Sequence, residues 1–116
     1  MNPDTVTYDT QYMTQKCSFS KVGYTFVGWN ESPNGSGAAW KLTTAGVFES
    51  GNSVKWNRTE NITLYAQWVP NEYNVSYDAN TGTGSMEDDT ILYDSEYTTK
   101  ENIFSKVGHT FIGWNE

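Results

Sequence analysis

A mainly β fold with one short helix, an α+β arrangement, is what this sequence predicts, and three observations carry the prediction. The chain is 16% aromatic, with five Trp and eight Tyr, yet its mean hydropathy is only -0.66. Thr, Asn, Gly and Ser surround those rings, as a half-buried pleated surface joined by tight turns requires. Several short runs alternate large apolar and small polar residues, the period of a strand with one face buried. The supply of large side chains also argues against a disordered chain.

Taken in order, residues 5–8 (TVTY) read as a short strand. Residues 11–19 carry the expected helical turns, with Tyr12, Cys17 and Phe19 facing inward. Residues 24–29 (YTFVGW) alternate cleanly and form the next strand. The Pro, Asn and Gly of 32–38 mark a loop, followed by brief strands at 39–42 and 53–56. A stronger strand occupies 62–68 (ITLYAQW), and 69–71 serves as a connector. Residues 72–77 (EYNVSY) alternate again, 78–85 (DANTGTGS) supply a turn, and 90–93 (TILY) form a further strand.

The chain repeats itself without a gap when Met1 is set against Met86. Over residues 1–31 and 86–116, 18 of the 31 paired positions are identical, including the runs FSKVG, TF and GWNE. Val6 and Val27 pair with Ile91 and Ile112, one β-branched residue replacing another. Self-similarity at a fixed period marks a repeat array. The second copy stops at Asn-Glu, where the first continues, so the chain is expected to be a tandem fragment of a longer array.

Three motifs then stand in order: Y-x-V-x-Y-D-x-N at 73–80, G-Y-T-F-x-G-W at 23–29, and T-L-Y-A-Q-W at 63–68. Together they resemble the Listeria–Bacteroides repeat family, which includes the B-repeat of the listerial internalins. The resemblance implies a small β-grasp-like module, strung in series in secreted or wall-attached bacterial surface proteins of the adhesin kind. It implies a role as stalk, spacer and interaction domain, and an extracellular or cell-wall location. In the family's order a repeat opens with the strand at 72–77 and closes with that at 62–68. Residues 1–70 are then the C-terminal part of one repeat, and 71–116 the N-terminal part of the next. The opening strand could fold back to complete 1–70, or 72–116 could recruit 32–68. The short connector favours the first, because closing a short loop costs little. The surplus copy would expose Ile91, Phe104, Phe111 and Trp114 with unpaired strand edges, a route to a homodimer.

Charge and chemistry exclude several classes. Asp4, Asp9, Glu31, Glu49 and Glu60 balance Lys16, Lys21, Lys41, Lys55 and Arg58, so the net charge of -7 falls on residues 69–116. Nucleic acid, which demands a basic stripe, is a poor partner, and an anionic membrane surface is disfavoured. No apolar run approaches the roughly 20 residues of a membrane span, so no insertion is expected. His109, the one histidine, aligns with Tyr24, which removes it as an acid–base catalyst. Cys17 aligns with Asn102 and reads as a structural thiol. No catalytic residue and no cofactor are assigned. The Asp78-x-Asn80-x-Gly82 segment misses the ligand spacing of an EF-hand, so a turn with local Asx hydrogen bonds is expected there and no metal. Trp29, Phe26 and Tyr8 recur at strand positions and are expected in the core. Trp40 and Trp56 lie in the long loop instead, where exposed rings could contact a ligand. A carbohydrate-binding module using that pair is therefore the alternative reading. Neighbouring repeats, a host or cell-surface protein, or a glycan are the partners this leaves.

Overall fold

The computed structural model describes residues 1–41 and 53–116, in two compact units, Met1–Pro70 and Asn71–Glu116. Among the described residues seven strands run in the order β1 (Gln11–Met13), β2 (Tyr24–Asn30), β3 (Ala39–Lys41), β4 (Ser53–Lys55), β5 (Tyr65–Pro70), β6 (Glu72–Val75) and β7 (Asp89–Leu92). All pairings are antiparallel. In the first unit β2 is the centre of a three-stranded sheet, flanked by β3 and β5, and β1 pairs with β4. In the second unit β6 pairs with β7, and a single bridge joins Thr83 to Ser105.

β2 forms where its alternation predicts, because Phe26 lies opposite Trp68 and Trp29 opposite both Trp40 and Ala66. The β2–β5 register shifts between Phe26 and Gly28, a bulge that restores the side-chain phase. Without it, positions 26 and 29 would point to opposite faces. With it, the two rings meet at 5.1 Å, and Trp29 is the most buried apolar side chain described, 5% exposed. Gly28 adopts φ 149° at this point, a conformation that side-chain-bearing residues rarely take. Gly113 takes φ 148° at the matching position, and Phe111 meets Trp114 at 4.8 Å.

Beside Trp29 the buried polar group is Asn30, 3% exposed. Its amide donates to the carbonyls of Gly35 and Gly37, and its oxygen accepts from the amides of Ser32 and Gly37. One side chain thus satisfies the loop that turns β2 toward β3, as burial of a polar group demands.

The mainly β class holds, and several expected elements do not. Among the described residues there is no helix, and the β-grasp arrangement, which packs a helix across a sheet, is not seen in them. The segment expected to turn helically gives three residues to β1 instead, and Tyr12 sits opposite Val54 in that ladder. Residues 5–8 form no strand, whereas the same segment of the second copy forms β7. The difference lies in the partner: β7 has β6 beside it, and strands need their backbone groups paired. Of the expected core, Trp29 is buried and Phe26 half-buried, but Tyr8 is 58% exposed, because it sits in a turn rather than a strand. Of the opening strand expected at 72–77, residues 72–75 form β6, which pairs with β7 of its own unit. The closing strand starts at Tyr65 rather than Ile62 and runs on through the expected connector to Pro70. Leu42, and 42–52 of the long loop, lie outside the described residues.

Replacing Trp29 by Ala is expected to cost the first unit about 3–5 kcal/mol, the range for truncating a buried large ring. Trp114→Ala should cost the second unit less, since Trp114 is only half-buried. Urea denaturation of the two variants, followed by circular dichroism, measures the difference.

Candidate functional site

The first unit gathers its aromatics around one polar clasp. The Tyr12 hydroxyl donates to Asp4 Oδ2 at 2.8 Å, and Gln15 Nε2 donates to Asp4 Oδ1 at 2.5 Å and to the Asn2 carbonyl at 2.9 Å. The Trp29 indole nitrogen donates to the Gln15 carbonyl at 3.3 Å. Phe19 and Phe26 meet the Trp29 ring edge-on, at 6.2 and 5.1 Å. Partial burial, reinforced by the hydrogen bond to Asp4, pushes the Tyr12 phenol up to about 12.

Every one of these contacts recurs at the matching positions of the second copy. Tyr97 donates to Asp89 Oδ2 at 2.6 Å, and Lys100 Nζ reaches Asp89 Oδ1 at 2.9 Å and the Glu87 carbonyl at 2.7 Å. The Trp114 indole donates to the Lys100 carbonyl at 3.2 Å, and Phe104 and Phe111 meet Trp114 edge-on. Gln15 and Lys100, whose side chains differ, do the same job through a terminal donor of similar reach. Hydrogen bonds from Tyr97 and then Lys100 hold the Asp89 carboxyl below its usual range, and burial with the Asp89 bond raises the Tyr97 phenol.

The second unit adds one element. Tyr77, beyond the end of β6, lays its ring against Trp114 at 4.7 Å. Its hydroxyl pairs with the Tyr97 hydroxyl and accepts from the Lys100 amide at 2.8 Å. In the first unit a cavity of about 330 Å³ opens beside the clasp. Asp4, Tyr12, Gln15 and Trp29 of the clasp line it, and Trp56 and the segment Ile62, Thr63 and Leu64, absent from the second unit, line it too.

The two residues singled out in sequence, Trp40 and Trp56, come together, with ring centres 6.2 Å apart. Tyr12 bridges them edge-on at 6.0 and 5.4 Å. Both are half-buried, and the Trp40 indole donates to Glu31 Oε1 at 3.1 Å. Arg58 donates to the same oxygen at 2.6 Å, and chiefly for that reason the Glu31 carboxyl lies below its ordinary value. Tyr12 therefore joins the cluster to the clasp. Its sequence position gives no sign of that role, since β4 sits far along the chain and brings Trp56 with it. The repeat itself was the usable signal: Tyr12 and Asp4 are both identical in the two copies.

Other candidates occupy local structural roles. Cys17 is half-buried with its thiol 3.7 Å from the Phe19 carbonyl. The exposed His109 holds Nδ1 2.9 Å from the Val107 carbonyl, and Cys17 and His109 lie in different units. Asp78 Oδ1 accepts from the Asn80 amide at 2.7 Å, the local Asx bond expected of that turn. Among the described residues no three His, Cys, Asp or Glu side chains gather as a metal site would require. No described helix is long and apolar enough to cross a membrane.

Comparison with known proteins gives one family. A sequence profile described as the Listeria-Bacteroides repeat domain matches residues 1–67 and again 73–116. Over 102 residues the chain is 38% identical to a protein of Evansella cellulosilytica whose name describes a Gly-rich membrane protein, covering 84% of this chain and 11% of that protein. A second membrane protein by name, from the same organism, is 34% identical, over 89% of this chain and 14% of its own length. Internalin H of Listeria monocytogenes is 32% identical, over 82% of this chain and 15% of that protein. The chain thus spans between 11% and 15% of the curated relatives it matches. No solved structure matches.

The raised Tyr12 phenol sets a pH dependence. The folded unit holds it neutral, so its stabilising effect is complete below the ordinary value of 10.0 and is lost as pH rises from there toward about 12. Denaturation of the full chain at stepped alkaline pH should show the first unit weakening over that window. Tyr12→Phe should remove that part of the loss and leave the part belonging to Tyr97 in the second unit.

Proposed function

We propose, from the premise that this chain belongs to the Listeria–Bacteroides repeat family, that it is a non-catalytic module of a bacterial surface or secreted protein, acting as a spacer that presents interaction faces. One observation carries the reading: a single side-chain clasp recurs at matching positions of the duplication, in two separately compact units. Self-similar units that each close their own small core extend a chain by repetition, with contacts confined to neighbours. The names of the relatives, two membrane proteins and an internalin, are consistent with a place at the cell surface. The acidic surplus of residues 69–116 fits a module that stays in solvent. Val107, Phe111 and Ile112 stand exposed on the second unit and offer a face to another repeat or a second copy.

The carbohydrate reading rests on Trp40 and Trp56. Their half-buried rings spend part of their area on each other and on Tyr12, which leaves less for a sugar face. Solution scattering from tandem chains of increasing repeat number separates the two. A spacer predicts a maximum dimension that rises linearly with repeat number and no signal on a glycan array. A compact, non-growing particle, or glycan binding that Trp40→Ala and Trp56→Ala abolish, would replace the spacer by the binding module.

A further inference from the structure

We propose that the loop joining β2 to β3 carries a self-modification site at Asn34 and Gly35, where the chain splits ammonia from the Asn34 side chain and so releases that loop from Asn30. An Asn-Gly pair occurs once in the sequence. Glycine is the following residue that least hinders attack by its own amide nitrogen, because no side chain stands beside that nitrogen. The fold demands both members of the pair. Gly35 sits at φ 79°, and a Cβ added there would lie 3.0 Å from Gln67 Oε1. Asn34 is exposed, and its side-chain oxygen accepts from the Ser32 hydroxyl at 2.8 Å and from the Ser36 amide at 3.0 Å.

Those two donors bear on the chemistry. The Gly35 nitrogen, once hydroxide has taken its proton, attacks Asn34 Cγ, and the negative charge passes to Oδ1. Donors already aimed at that oxygen stabilise the charge as it forms, as in an oxyanion hole. The Cγ–Nδ2 bond then breaks, Nδ2 leaves as ammonia with a proton from water, and a cyclic succinimide closes. Water opens the ring at either carbonyl carbon, giving aspartate or isoaspartate. In sum water is consumed, ammonia is released, and nothing is oxidised or reduced. The Gly35 N–H donates to the Ser32 carbonyl at 3.1 Å, so the reaction starts only when that bond opens, which makes it slow.

The two products differ in consequence. Aspartate leaves the backbone unchanged and keeps an oxygen for Ser32 and Ser36. Isoaspartate routes the main chain through the old side chain and lengthens it by a methylene just before Gly35. That displaces the Gly35 carbonyl, which accepts from Asn30 Nδ2 at 3.2 Å. Asn30 is 3% exposed, so a donor that loses its acceptor there finds little water to replace it. The corner between β2 and β3 is thereby loosened irreversibly with time.

The test is prolonged incubation of the full chain at mildly alkaline pH, with each asparagine followed by peptide mapping and mass spectrometry. Conversion at Asn34 should rise with hydroxide, run ahead of every other asparagine and yield both acids. Ser32→Ala removes the hydroxyl but keeps the backbone groups that hold the loop, so it should slow conversion severalfold. In urea strong enough to unfold the chain, the variant and the unaltered chain should convert at the same rate. The fraction carrying isoaspartate should melt at a lower temperature, whereas Asn34→Asp should melt with the unaltered chain. Asn34 left intact while other asparagines convert would overturn the site. Equal rates for the folded Ser32→Ala variant and the unaltered chain would overturn the part given to the two donors. An unchanged melting temperature with isoaspartate in place would overturn the release from Asn30.

Discussion

A strand exists in this protein only where another strand is present to pair with it. Backbone N–H and C=O groups removed from water need partners, and a short strand can find them only across a ladder. The internal duplication isolates this requirement, because nearly the same residues stand in two settings. Residues 24–30 lie between β3 and β5 and are a seven-residue strand. Their copies at 109–115 have no such flanks within their unit and form no strand, although Thr, Phe, Gly, Trp and Asn are unchanged. The reverse holds at the other end, where β7 pairs with β6 while its copies at 4–7 form no ladder. Likewise β1 exists opposite β4, and its copies at 96–98 form no strand.

Side-chain organisation follows a different rule. The Tyr–Asp bond, its Gln or Lys support, the indole anchored to a backbone carbonyl and the two flanking phenylalanines are present in both units. So are the local backbone turns, with Asp9 and Asp94 at φ 66° and 62° and Gly28 and Gly113 at 149° and 148°. Contacts that close within the duplicated segment travel with that segment. Contacts that need a distant strand depend on what else the chain supplies. A repeat built this way carries the same side-chain centre whichever strands flank it.

That division also decides what could be read in advance. The duplication, the strand at 24–29 and the Asx turn at Asp78 were all legible, because each depends on residues close together or on direct identity. The strand expected at 5–8 was not formed, because period-2 alternation reports suitability for a ladder and says nothing about the partner. The helix expected over 11–19 failed for the complementary reason, since β4 lies far along the chain and recruits Gln11–Met13 into a ladder. Asn30 drew no expectation from sequence, yet it is nearly inaccessible and satisfies four backbone groups. Trp40 and Trp56 could be named but not joined, because the residue that joins them, Tyr12, belongs to a strand the alternation pattern did not show.

Amide hydrogen exchange on the full chain, resolved residue by residue, tests the partner rule most directly. The account predicts slow exchange along 25–29 and fast exchange along 110–114, their near-identical copies. It predicts the opposite order for 5–7, fast, and 90–92, slow. Equal protection of both members of either pair would contradict it, and would show that these segments hold their conformation without a ladder.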